Sequence, residues 1–182
     1  MPEKGLQRKE KLKRSCRTPQ LNKEGYMRIA VRYDEHGNIL EKVFFGLDGK
    51  PIIDIGAEPI DGIGAKARYS YADGNQPVSV VYLDEHDRVI PVEVEVNEIV
   101  ADSTAARVGL LPGDRLLSYA GEKLRSAEQL IFLTGKAGAG PRKLTYRRGK
   151  NSFTVEVPPG RLGVVVSNVR AAFSATAPVN RR

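Results

Sequence analysis

A tight corner between two apolar stretches constrains the fold of this chain more than any other feature. The corner reads Gly109-Leu110-Leu111-Pro112-Gly113-Asp114, and the apolar stretch Arg115-Leu116-Leu117-Ser118-Tyr119 follows it. Gly109 suits the left-handed residue after a helix, and Pro112 prevents that helix from continuing. We therefore predict a short helix that is capped by Asp102 or Ser103 before the corner, and a strand after it.

A second helix and a hairpin are predicted downstream of this corner. Ser126-Ala127-Glu128-Gln129 is a capping-box pattern, so we expect a helix that runs to about Thr134 and stops at Gly135. Residues 142–147 and 152–157 alternate in polarity around Arg148-Gly149-Lys150-Asn151, which favours an antiparallel hairpin.

In this order, the elements between residues 92 and 166 resemble a PDZ domain, a module that binds peptides by adding them to a sheet edge. Most PDZ domains carry a carboxylate-binding motif similar to Gly-Leu-Gly-Phe before all of these elements. Here the matching motif, Gly160-Arg161-Leu162-Gly163-Val164, comes after them. The resemblance, over about residues 92–168, is therefore to the circularly permuted bacterial type, in which the C-terminal segment contributes the binding strand.

This resemblance implies a peptide-binding site without a side-chain base. Backbone N–H groups in the glycine turn would hold the peptide carboxylate, Leu162 and Val164 would line the pocket for the last side chain, and one face of the second helix would form the opposite wall. Many family members have a histidine at the position of Ala127, so alanine predicts a preference for apolar ligand residues there. Arg161 and Arg142 could attract the carboxylate, and a bulky residue at position 163 is expected to abolish binding while the fold stays cooperative. The predicted peptide-binding residues are Arg161, Leu162, Gly163, Val164, Val165, Val166, Ala127, Ile131 and Thr134.

Residues 26–90 have a different pattern, in which short aromatic and apolar alternations are separated by acidic-glycine turns. Hairpin-like units occur at residues 31–40, 44–52, 69–81 and 82–90, with a connector at 55–64. They favour an antiparallel meander with the tyrosines and Phe44 or Phe45 on its buried face. These units resemble the tyrosine-aspartate repeats of bacterial surface and repeat proteins.

The predicted fold class is mainly β with two short helices: an antiparallel β meander followed by a PDZ-like, partly open β barrel. The predicted organisation is a basic disordered tail (1–25), the hairpin repeat segment (26–90), the PDZ-like domain (91–170) and a disordered C-terminal tail (171–182). The N-terminal tail has almost no apolar residue to bury, which is why we expect disorder there.

Catalytic and metal-binding patterns are weak in this sequence. Cys16 is the single cysteine, which excludes an intrachain disulfide and a thiolate zinc site. His36 and His86 both follow Asp-Glu at predicted turns, and these two triplets could meet at a metal, although turns favour such polar residues anyway. The glycine-rich residues 135–140 lack the order of a phosphate-binding loop. A Ser-Lys dyad stays open, but we predict a non-enzymatic protein with no cofactor and no metal.

Three functions are compatible with the sequence, and the first is favoured. The PDZ-like domain binds a protein or peptide C-terminus or an exposed strand; or its groove is closed and its role is structural within a larger multidomain protein; or the basic surface binds nucleic acid. The last is disfavoured, because Tyr146 stands alone among basic residues and offers no aromatic stacking platform. No apolar run approaches the ~20 residues of a membrane-spanning helix. Localisation is open: cytoplasmic if Met1 is the true start, extracytoplasmic if the chain is a fragment.

Overall fold

The structure is a computed structural model in which the chain divides into two compact units, Met1–Ile90 and Pro91–Arg182. Nearly all of the predicted tails and most of the predicted connector lie outside the described residues. Antiparallel strands build both units, and the two helices of the described part lie in the second, which confirms the predicted mainly β class. The structure describes residues 21, 26–53, 63–72, 74–136 and 138–171.

The first unit is a five-stranded antiparallel meander in which each strand pairs with its neighbour in sequence. This arrangement follows from the short polar turns, because a tight turn returns the chain directly alongside the strand it has just left. The strands are β1 (Arg28–Tyr33), β2 (Ile39–Phe45), β3 (Lys66–Tyr71), β4 (Pro77–Leu83) and β5 (Val89–Ile90).

Three of the four predicted hairpin units are confirmed as β1–β2, β3–β4 and β4–β5. The prediction for residues 44–52 was wrong, because this segment forms only an isolated bridge between Phe45 and Pro51. Backbone bonds from Gly46 N–H to the Lys50 oxygen (3.0 Å) and from Gly49 N–H to the Gly46 oxygen (3.1 Å) close the turn tightly. The Ile52 N–H donates to the Phe44 carbonyl (3.0 Å), so the returning segment pairs only over Pro51 and Ile52 and is too short to form a strand.

The buried face of the meander contains fewer tyrosines than the sequence predicts. Phe44 and Tyr82 are each 4% exposed, as predicted for aromatic residues of this face, but Tyr33 is 46% exposed at the end of β1. Ala65 and Ala67 are buried beside them, so part of the buried face consists of alanines where the sequence predicted aromatic residues. The resemblance to tyrosine-aspartate repeats stays a prediction.

The second unit is a sheet with the order β10-β9-β7-β6-β11, in which β8 pairs only with β7. The path ends at β10 on one side and β11 on the other, so the described sheet does not close, as predicted for a partly open barrel. The elements are β6 (Val92–Ile99), α1 (Thr104–Arg107), β7 (Arg115–Tyr119), β8 (Glu122–Lys123), α2 (Ala127–Gly135), β9 (Arg142–Arg148), β10 (Asn151–Val157) and β11 (Val164–Arg170).

The core of the second unit is one apolar cluster to which the strands, both helices and the loops contribute. Its formation is the main favourable term in folding, since burial of apolar surface contributes about 25 cal/mol per Å². The buried members are Val94, Val96, Ala105, Leu110, Leu116, Tyr119, Leu124, Ala127, Leu130, Leu133, Leu144, Tyr146, Val157 and Leu162.

The helix caps and the predicted hairpin follow the sequence signals. Ser103 caps α1 and Ser126 caps α2; each side-chain oxygen accepts a backbone N–H three residues on, at 3.2 Å. Gly109 has a φ of +74°, as predicted for the residue after a helix. Strands β9 and β10 pair antiparallel through their whole length, which confirms the predicted hairpin.

Candidate functional site

Strand β11 forms one edge of the described sheet in the second unit. It pairs antiparallel with β6 along one side only, with Val164 opposite Ile99 and Val166 opposite Val96. An edge strand presents a row of backbone donors and acceptors to whatever lies beside it. This edge is the candidate functional site.

The direction of the backbone groups along this edge follows from the bonds of Val96. Its N–H donates to the Asp114 oxygen (2.9 Å) and its carbonyl accepts from Gly113 N–H (2.7 Å), so both groups face away from β11. The pair of Val166 and Val96 is therefore a non-hydrogen-bonded pair, in which Val166 turns its N–H and carbonyl outward. Because strand residues alternate, Val164 turns its groups the same way.

In the loop before β11, two successive carbonyl groups are hydrogen-bonded within the described part of the fold, and the N–H groups of the same residues are not. The Leu162 carbonyl accepts from Ala105 N–H (2.8 Å), and the Gly163 carbonyl accepts from Val100 N–H (2.9 Å). Among the residues that the structure describes, the N–H groups of Leu162 and Gly163 have no acceptor. Two successive donors next to an outward-facing edge form a suitable cradle for an anion.

Gly163 is required by the shape of this loop. Its φ of +74° lies in the left-handed region, and a Cβ built on it would lie 2.3 Å from the Ser103 Cβ and 2.9 Å from its Oγ. The loop therefore lies directly against the cap of α1. A bulky residue at position 163 would therefore also strain this loop. The expectation that it abolishes binding while the fold stays cooperative stays a prediction.

The predicted wall residues of α2 are in different environments. Ala127 and Thr134 are buried, whereas Ile131 is 46% exposed. The Thr134 hydroxyl donates to the Ile131 carbonyl (3.0 Å), so it is already bonded within the helix. Ile131 is thus the apolar side chain that α2 presents to solvent.

The remaining predicted residues lie in β11 and in the loop before it, in different environments. Leu162 is 3% exposed and belongs to the core cluster, while Val164 and Val166 are partly buried and pack against that cluster. Val165 is exposed on the other face of the strand, and Arg161 is exposed in the loop. The sequence prediction thus places a continuous stretch from Arg161 to Val166 at this edge.

The two arginines predicted to attract a carboxylate differ in their surroundings. Arg161 is exposed and has no hydrogen-bond or ion-pair partner among the described residues. Arg142 donates to the Lys136 carbonyl (3.3 Å), and its guanidinium lies 5.9 Å from the centre of the Tyr119 ring. Of the two, Arg161 is therefore the better placed to act on a ligand at the loop.

Sequence reasoning missed the role of Asn168 at the far end of the edge. Its Oδ1 accepts from the Ala127 N–H at the start of α2 (2.7 Å), and its Nδ2 donates to Glu128 Oε2 (3.0 Å). The amide therefore spans the space between β11 and α2 at this level. The residues lie 40 and 41 positions apart, and no local pattern in the sequence signals the contact.

The Asp-Glu-His turns do not combine into a shared metal site within the described residues. Asp84, Glu85 and His86 place ligand atoms within 4.8 Å of one another, and His36 is not part of that group. Asp84 Oδ1 already accepts from the His86 and Arg88 backbone N–H groups, and its Oδ2 accepts from Arg88 Nε (2.7 Å). Burial raises the pKa of this carboxyl, but these hydrogen bonds and the Arg88 charge outweigh burial and lower the pKa overall. The carboxylate thus has a structural partner for each oxygen.

A family model described as "PDZ domain" matches residues 95–148. This segment is a PDZ domain. The match runs from within β6 to the end of β9, so the predicted binding strand β11 lies beyond the matched residues. No curated protein matches the chain.

Two solved structures similar to this chain are PDZ domains of SdrC-like proteins from Listeria. The one from Listeria monocytogenes is 21% identical with a TM-score of 0.36, and the match covers 40% of this chain and 85% of that one. The one from Listeria innocua is 19% identical with a TM-score of 0.35, and the match covers 41% of this chain and 92% of that one.

The PDZ match makes this part of the chain a protein-interaction module in general terms, of a family that is typically non-catalytic. Within the described residues, neither helix is long and apolar enough to cross a membrane.

Proposed function

We propose that the PDZ domain binds the C-terminus of a protein or peptide, which adds to the outer edge of β11. The observation that carries this proposal is the pair of N–H groups at Leu162 and Gly163, which have no acceptor among the described residues. A peptide carboxylate is an anion with two acceptor oxygens, and charge-assisted hydrogen bonds of this kind are stronger than neutral ones. The bonded carbonyls of the same loop keep these donors in place.

The rest of the ligand would follow the backbone of the edge strand. Val164 and Val166 turn their N–H and carbonyl groups outward, so a peptide that runs antiparallel to β11 pairs with both residues. Its last side chain would lie near Val164 and the exposed Ile131 of α2, which supports an apolar C-terminal residue. Arg161 would add long-range attraction for the carboxylate.

A micromolar affinity is expected from these contacts. Burial of one terminal Val or Leu contributes ~1.5–3 kcal/mol, and each charge-assisted hydrogen bond contributes roughly 1.5–3 kcal/mol. Association costs on the order of 4–15 kcal/mol in lost freedom. Hydrogen bonds along β11 would add roughly 0.5–1.5 kcal/mol each, and with them the net gain can reach about 8 kcal/mol, which corresponds to a Kd of about 1 μM.

A library of fluorescently labelled peptides with random C-terminal residues tests the proposal by fluorescence anisotropy. Each peptide that binds is then compared with the same peptide amidated at its C-terminus. We expect amidation to weaken binding about tenfold or more, because it removes the charge that the loop donors would hold. Equal binding of acid and amide would contradict carboxylate capture.

A pair of charge-matched variants tests the loop itself. Arg161→Ala should weaken the binding of free-acid peptides by a few-fold, since it removes a positive charge near the carboxylate. Lys150→Ala removes the same charge from the exposed turn between β9 and β10 and should leave affinity unchanged. Equal losses in both variants would assign the effect to net charge instead of to the site.

A structural role with a closed groove is the second candidate function. The Asn168 amide favours it, because its bonds to α2 occupy the space between strand and helix at one level. If no peptide of the library binds in either form, this second function replaces the first.

A further inference from the structure

We infer that Asn168 sets the length of peptide that the edge accepts, so that only the last four ligand residues pair with β11. This inference rests on the proposed function and specifies the ligand further. It is carried by the position of the Asn168 amide between the strand and α2.

Both polar atoms of the Asn168 side chain are used across this space. The carbonyl oxygen accepts from the Ala127 N–H, a donor that is unpaired in an isolated helix because it belongs to the first turn. The amide nitrogen donates to the Glu128 carboxylate on the same turn. An inserted peptide would have to break both contacts and leave the Ala127 N–H, in a residue that is 6% exposed, without an acceptor.

The bridge from Asn168 brings β11 and the first turn of α2 close together at this level. Neighbouring strands lie about 4.8 Å apart, and the side chains of an added strand need further space beyond that. At Asn168, a single side chain and one hydrogen bond of 2.7 Å connect β11 to the backbone of α2. The strand and the helix are therefore too close here for a third segment to lie between them.

Counting along the strand gives the limit. In an antiparallel pair, each step forward along β11 is one step backward along the ligand. With the carboxylate at Leu162 and Gly163, the last ligand residue lies opposite Val164 and the third from last opposite Val166. The fifth from last lies opposite Asn168 and meets the bridge, so the paired segment ends at four residues.

The experiment measures affinity against peptide length. Free-acid peptides of three, four, five and eight residues share the C-terminal sequence of the best binder in the library. For the unmodified chain, we expect affinity to rise from three to four residues and then to stay level. In Asn168→Ala, the five- and eight-residue peptides should bind roughly two- to tenfold more tightly than the four-residue peptide, since each added backbone bond stabilises the complex.

Ser167→Ala is the matched control, because Ser167 is the neighbouring residue and bonds Asn97 (3.1 Å) on the β6 side instead of bonding α2. It should keep the level profile of the unmodified chain. Glu128→Ala is a second variant that removes one of the two contacts and should give an intermediate profile. Thermal unfolding shows that each variant is folded at the temperature of measurement.

The outcomes separate this inference from the proposed function. Affinity of the unmodified chain that keeps rising from four to eight residues overturns the length limit alone. A level profile in Asn168→Ala also overturns it, since another feature would then set the length. Loss of the difference between acid and amide overturns carboxylate capture, and with it the register on which the limit of four depends.

Discussion

The two units differ in how far apart along the chain their paired strands lie, and in how far the carboxylates of Asp84 and Asp114 reach to their partners. In the first unit, the hydrogen bonds of Asp84 stay within four residues, and the strand order follows the chain order. In the second, Asp114 bonds Arg148 across 34 positions, and β6, the first strand, pairs with β11, the last. The candidate site thus lies where distant segments meet, because β11 pairs with β6 and contacts α2.

The largest expected loss of stability in the second unit follows from replacing Asp114. This carboxylate is 1% exposed and accepts from Arg148 Nε and Nη2 (2.7 Å each) and from the Leu111 N–H (2.9 Å). Asp114→Ala should lower the free energy of unfolding by about 3 kcal/mol, the low end for breaking a buried pair, because Arg148 can turn to solvent. Native-state hydrogen exchange should show faster exchange in β6 and β7.

The same measurement gives the control for this comparison. Exchange of the amides in β3 and β4 should keep its unmodified rate in Asp114→Ala. An equal acceleration in those strands would contradict the contrast drawn between local and distant contacts.

The next effect concerns the loop of the candidate site. Gly163→Ala should lower the free energy of unfolding by about 2 kcal/mol, because the left-handed φ of +74° disfavours any Cβ and the new Cβ contacts Ser103. The double variant Gly163→Ala, Ser103→Gly should recover part of this loss in chemical denaturation. No recovery would mean that backbone strain accounts for the whole loss.

Acid should weaken the second unit through Asp114. Burial raises the pKa of this carboxyl, but the bonds from Arg148 and Leu111 and the Arg148 charge outweigh burial and lower the pKa below its ordinary value of 3.8. A carboxyl whose folded pKa is lowered stabilises the fold fully above the unfolded pKa, and this contribution is lost as pH falls through the folded value. In chemical denaturation, the contribution of Asp114 to the free energy of unfolding should therefore be independent of pH above about pH 5 and decrease below about pH 4.

Asp114→Asn identifies the source of that pH dependence. The amide cannot ionise, so the decline below about pH 4 should be shallower in this variant. A decline of unchanged slope would assign the acid sensitivity to other carboxyls, such as Asp34 and Asp87, whose pKa values are also lowered.

Local signals in the sequence predicted most of the helices, turns and hairpins. The features that the sequence could not predict are contacts between residues far apart in the chain. The caps at Ser103 and Ser126 and the turn at Gly109 were predictable, because a cap or a turn is complete within a few residues. The binding stretch from Arg161 to Val166 was predicted from a motif and stays a prediction. The bridge from Asn168 to α2 and the approach of Gly163 to Ser103 were not predictable, since no sequence pattern near either residue indicates its distant partner.

The smallest expected effect tests the local side of the comparison. Asp84→Ala removes the acceptor of the His86 and Arg88 backbone N–H groups in the turn between β4 and β5. Water can replace this acceptor at a surface turn, and the Arg88 side chain is 75% exposed, so the loss of stability should be smaller than in Asp114→Ala. Hydrogen exchange should become faster in β5 and at the end of β4, and stay unchanged in β1.

Asp34→Ala is the matched variant in the turn between β1 and β2, because it removes the acceptor of the His36 and Asn38 backbone N–H groups. Hydrogen exchange should then become faster in β1 and β2 and stay unchanged in β5. Faster exchange throughout the meander in either variant would show that the first unit unfolds cooperatively from any of its turns. The two units would then differ in the sequence separation of their contacts and not in their cooperativity.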